Sequence, residues 1–81
     1  MDKDVAREIL RQVFRSEKEL SSLLPVLKEG CSEKDYAEFA RQVASAIDSI
    51  NVALLNKVLA RFPDLEVEIE QNLRRTGKAM P

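Results

Sequence analysis

Eighty-one residues make one small domain, and a chain this short hides only about 60–65% of the surface it exposes when unfolded, so its core is thin. No histidine and a single cysteine, Cys31, exclude histidine-based catalytic triads, stapling disulfides and zinc sites of the Cys/His kind. Thirteen Lys and Arg against fourteen Asp and Glu leave a net charge of −1, which supplies no global field to draw in nucleic acid or acidic lipid.

The opening MDKDVAREIL has no basic segment followed by an apolar stretch and does not read as a secretory signal. Val5, Ile9, Val13, Leu20, Leu23, Leu24 and Leu27 repeat at helical spacing, with Arg7, Arg11, Arg15 and Lys18 opposite them. The pattern predicts a first helix over about residues 3–28. Pro25 falls inside it, where it removes a backbone donor and crowds the carbonyl of Ser21, so a kink or break is expected near residue 25. Gly30 suits a helix end. The SEKD of Ser32 to Asp35 then has the Ser-x-x-acid spacing of an N-terminal capping box.

Tyr36, Ala40, Val43, Ile47, Ile50, Leu54 and Val58 form the next stripe, and no Gly or Pro interrupts it before Pro63. A second helix over about 33–62 follows, roughly 45 Å long at 1.5 Å per residue. That length matches the first helix with its extension beyond Pro25, so an antiparallel hairpin is expected. No apolar run is expected to reach the ~20 residues of a membrane span.

The segment PDLEVEIEQNLRRTG, Pro63 to Gly77, alternates like a strand yet repeats Leu65, Ile69 and Leu73 at helical spacing. Its ends decide the matter. Pro63, Asp64 and Glu66 suit a helix start, Arg74 and Arg75 suit the last turn, and Gly77 suits the stop. The fold class read from the sequence is therefore all-α: an antiparallel hairpin of two long helices plus a short third helix over 64–76, with 77–81 as a frayed tail.

A two-helix hairpin shelters one face of each rod, and the second rod has apolar residues to spare. Val52, Leu55, Leu59 and Phe62 lie well around the wheel from Leu54 and Val58, and Leu10 and Phe14 sit on the edge of the first helix. Either the third helix folds back over them or another chain does. These six residues are the predicted partner-binding set, and the expected partner is a protein, either further copies of the chain or a helical hetero-partner.

The residues offer little for catalysis. Cys31 has Glu29, Glu33 and Lys34 close by, and carboxylates raise a thiol pKa. Glu66, Glu68 and Glu70 form no ligand set on one helix face, and neither glycine belongs to a phosphate loop. The stripe Arg7, Arg11, Arg15 and Lys18 has the spacing of a nucleic-acid-binding face, but Asp4, Glu8, Glu17 and Glu19 interrupt its field. The DSI of Asp48 to Ile50 is similar to the Asp-Ser-Leu of acyl and peptidyl carrier proteins, and that resemblance would make Ser49 the attachment point of a phosphopantetheine arm. In that family the serine opens a helix after a long loop, whereas here a helical pattern runs straight into it. The reading is thus a non-enzymatic cytoplasmic module with no cofactor, metal, membrane, nucleic-acid or small-molecule partner.

The segment SEKDYAEFARQVASAIDSINVALLNKVLARF, Ser32 to Phe62, resembles the second helix of the small hairpin co-chaperones of type III secretion systems, with Tyr36, Ala44 to Ala46 and Ile50 to Leu59 as the matching features. VEIEQNLR, Val67 to Arg74, resembles the C-termini of needle subunits of the same apparatus, although the Pro-x-x-Pro-like turn of those subunits is missing. The resemblance implies a hairpin that keeps an aggregation-prone subunit soluble by packing against a second helical chaperone.

Overall fold

In the structure, a computed structural model that describes residues 1–80, the chain forms α1 (Lys3–Ser21), α2 (Leu23–Gly30), α3 (Glu33–Ile50), a π turn (Asn51–Leu55), α4 (Asn56–Arg61) and α5 (Asp64–Thr76). There is no strand among the described residues. The protein is all-helical, and Pro63 to Gly77 resolves in favour of its helical signals.

Capping side chains fix where the helices begin. Asp2 Oδ1 accepts the Val5 N–H at 2.9 Å, and Ser32 Oγ accepts the Asp35 N–H at 3.2 Å, each satisfying a donor the first turn leaves free. Ser32→Ala should cost about 1 kcal/mol of stability, seen as a lower urea midpoint with an unchanged slope.

Pro25 breaks the first rod a little upstream of itself. Its ring would crowd the Ser21 carbonyl, so α1 ends at Ser21 and Pro25 is accommodated in the first turn of α2, where its missing donor is not needed. Ser22 makes the joint, donating its N–H to Lys18 O at 3.0 Å and its hydroxyl to Glu19 O at 2.6 Å.

α3, the π turn and α4 are continuous as one rod, Glu33–Arg61. The Asn56 N–H bonds to Asn51 O, an i→i+5 step whose wider turn absorbs about one residue of helical phase. Beyond it Leu55, Val58, Leu59 and Phe62 come into line with Ile47 and Ile50, a placement that a wheel drawn at constant pitch assigns to Leu54 and Val58. By length and composition this rod could cross a membrane; between Val43 and Ala60 only Asp48 and Lys57 are charged. That corrects the expectation that no segment reaches such a length. Its most apolar stretch is 11% buried in the fold, and Asn56 interrupts the exposed part of it.

The phase change has a direct packing consequence. Ala6, Leu10, Val58, Leu65 and Met80 form the buried cluster, with Ile9, Phe14, Leu55, Leu59, Phe62 and Ile69 packed against it. α5 therefore folds back. Arg7 Nε holds Glu68 Oε2 at 3.0 Å and Oε1 at 3.2 Å across the α1–α5 seam, and Lys3 pairs with Asp64 at its start. At the other end Gly77, at φ +74°, takes the left-handed position that closes α5. The turn sends the chain back toward α1. Asn72 Nδ2 donates to Ala79 O at 3.0 Å, and Met80 is buried, so the tail expected to fray is tucked in as far as it is described. Pro81 lies outside the described residues.

One half-buried acid works against the fold. Glu17 Oε1 is shut away from solvent with no hydrogen-bond partner, and burial raises its carboxyl pKa. A carboxyl with a raised folded-state pKa favours the native state below its unfolded pKa and loses that contribution as pH rises through the folded value. Glu17→Gln should therefore raise the melting temperature at pH 7 and lose that advantage near pH 4. Asp64, whose carboxyl is lowered first by its bond from Lys3, has the opposite sign: its contribution is present above its unfolded pKa and disappears as pH falls through the folded one.

The molecule is drawn out, 45 × 26 × 15 Å along its principal axes with a radius of gyration of 15.0 Å, against roughly 12 Å for a compact chain of this length. A thin core and an extended outline are two views of the same deficit.

Candidate functional site

With α5 seated on one side of α1 and α4, the other side stays open. Two adjoining stretches, of about 430 and 390 Å³, form a continuous apolar groove between α1 and the rod. Val5, Ile9 and Val13 of α1 face Ile50 and Leu54 in the first stretch. Met1, Ile9, Ala53, Leu54 and Val58 line the second. Ile9 and Leu54 belong to both, so they mark the level at which the stretches meet. Met1 is 56% exposed, Val5 49% and Leu54 48%, a large share for side chains that water solvates poorly.

The groove exists because α1 presents Gln12 and Ser16 beside Val13, and the rod presents Ala53 and Ala60 beside Leu54. Those side chains are polar or too small to fill the seam. Its polar rims differ in sign. On the α1 wall stands Glu8, whose carboxyl is held below its ordinary value by the bond from Gln12 Nε2, at 3.1 Å, and by the Arg11 guanidinium. On the α4 wall stand Lys57 and Arg61, neither of which has an ion-pair partner among the described residues.

The predicted partner-binding residues fall in different places. Leu10 is fully buried, at 0% exposure, in the core and not on a docking face. Phe14, Leu55, Leu59 and Phe62 are half-buried against that core. Val52 alone of the six is freely exposed, at 62%. The open surface is instead built from exposed Val5 and Leu54 over half-buried Ile9 and Ile50, which the sequence pattern assigns to the sealed seam of the hairpin, and from Met1 and Ala53, which it does not single out. Polar Gln12 and Ser16 flanking Val13 were the available signal that the seam would not close.

The remaining candidates are placed as follows. Ser49 is exposed near the end of α3, within the helix and not at the start of one. Cys31 is a half-buried free thiol at the α2–α3 turn. Of the basic stripe, Arg7 is bound by Glu68 and Asp4, Arg11 pairs with Glu8, and Arg15 lies 3.6 Å from Glu19. The folded tail brings Lys78 to the same cleft as Arg15 and Lys18, a proximity invisible in sequence. Among the described residues no group of three acidic or cysteine side chains is arranged to hold a metal. Comparison with known proteins finds no family model that matches this chain, and no significant match among curated proteins or solved structures.

Proposed function

We propose that this chain is a non-enzymatic protein–protein interaction module, an antiparallel hairpin of α1–α2 against the α3–α4 rod, braced by α5, that docks a further helix in the groove between α1 and α4. The observation that carries this reading is the groove itself: an apolar trough lined by Val5, Ile9, Ile50 and Leu54 that the chain's own third helix leaves uncovered. Soluble chains rarely leave contiguous apolar surface open without a use for it. An apolar groove between two packed helices suits the apolar face of partner helices, with apolar anchors in the trough and polar contacts at the rim. The resemblance of Ser32 to Phe62 to secretion co-chaperones points the same way, toward a small adaptor that shelters the apolar face of another subunit.

A photo-crosslinking phenylalanine analogue tests this in the native cell when placed at Val5, inside the groove, and at Glu66, exposed on α5. A protein adduct at Val5 and none at Glu66 is expected. Equal adducts at both, or none at Val5, would remove the groove as a docking surface.

A further inference from the structure

We infer that the occupant of the groove is a second copy of this chain, related by a twofold axis running along the groove, so that Glu8 of each copy faces Lys57 of the other; the inference rests on the docking reading above. The first support is area. The chain exposes 5978 Å², whereas a folded monomer of 9.2 kDa exposes about 4,900 Å². The excess, about 1,000 Å², is close to the ~800 Å² that a standard-size interface removes from each partner.

The second support is charge. One wall of the groove is acidic, at Glu8, and the other basic, at Lys57 and Arg61. An acidic helix or a basic helix would satisfy one wall and be repelled by the other, but a copy of the same groove satisfies both. A twofold axis along the groove lays each α1 wall on the partner's α4 wall and leaves heights unchanged. Glu8 adjoins Ile9, and Lys57 stands one turn beyond Leu54, so the two charges flank the shared Ile9–Leu54 level. An axis across the groove would set each acidic wall on its own kind. The Glu8 side chain is 54% exposed, and its bonds from Gln12 and Arg11 each use one oxygen, which leaves lone pairs for the partner's ammonium.

Glu8→Lys and Lys57→Glu test this as purified full chains by sedimentation equilibrium, with circular dichroism to confirm that each is folded. Each variant alone should dimerise about tenfold or more weakly than the parent chain, because attraction at both symmetric contacts becomes repulsion. Mixed in equal amounts they should recover the parent affinity within about threefold, since the heterodimer restores both contacts. Variants that dimerise as well as the parent, or a mixture no tighter than its components, would overturn the inference. A parent chain that stays single while the crosslinker at Val5 still captures a different protein would overturn the second copy and leave the docking reading standing; failure of both measurements would remove both.

Discussion

Leu10→Ala is expected to lower the stability of the fold by about 3–4 kcal/mol, near the middle of the range for truncating a fully buried leucine. Leu10 is at 0% exposure and meets Ala6, Val58, Leu65 and Met80 at the point where α1, α4, α5 and the tail converge. The cavity left by three lost carbons would open between separate elements, each held by few other contacts. In a domain this small, a loss of that size lowers the melting temperature by about 15–25 °C, leaving a marginal protein at 37 °C. Thermal melts followed at 222 nm would show it. A melting temperature within 3–4 °C of the parent chain's, read against that 4–8 °C per kcal/mol, would mean that α5 and the tail do not pack on α1 as described. Leu59→Glu should act in the same direction but less strongly, because Leu59 is half-buried against the core and a carboxylate there loses part of its hydration.

Leu54→Asp is expected to do the reverse. Leu54 is 48% exposed, so an aspartate there keeps its hydration in the single chain, and helicity and melting temperature should change little. In the assembled state the same carboxylate would be pressed against the apolar α1 wall of the partner chain, at the level of Ile9. Association should weaken at least 100-fold, the scale set by burying an unpaired charge at an interface centre. Circular dichroism and sedimentation of one sample check both halves. An unfolded variant would place Leu54 in the core; a folded variant that associates normally would place the interface elsewhere.

The contrast between Leu54 and Leu59 is also where the sequence could be read and where it could not. Helix boundaries were accessible because their signals are local: Ser32 as a cap, Pro25 as the breaker of the first rod, Gly77 as the stop. That the chain holds more apolar surface than two rods can hide was equally accessible from Val52, Leu55, Leu59 and Phe62. Which side of the rod the surplus faces was not. The Asn51–Leu55 turn shifts the phase of everything after it, and no Gly or Pro announces such a turn. A constant-pitch wheel thus assigns Leu54 to the seam and Leu55, Leu59 and Phe62 to the outside, whereas the latter pack against the core cluster and the former lines the groove. The tail shows a second limit. Asn72 binding the Ala79 carbonyl and Met80 entering the core depend on a fold-back that composition alone does not signal, since Lys78 and its neighbours read as solvent-exposed.

Polarity separates the two faces of α1 as well. Lys3 and Arg7 reach toward Asp64 and Glu68 on α5, while Glu8 and Gln12 border the groove. The ion pairs on the α5 side are internal and bridge exposed or half-buried groups, so salt should affect the folding of the single chain only slightly. Those proposed across the groove would form between copies, so added salt should weaken association more than it weakens the fold.

Sedimentation equilibrium of the unmodified chain between about 1 and 100 µM, a range that brackets micromolar dissociation constants, tests the central claim most directly. The mass should climb with concentration from one chain to two and no further, because a twofold pairing covers both grooves and leaves none to extend the assembly. A mass that stays at one chain throughout, or that grows past two, would contradict the account.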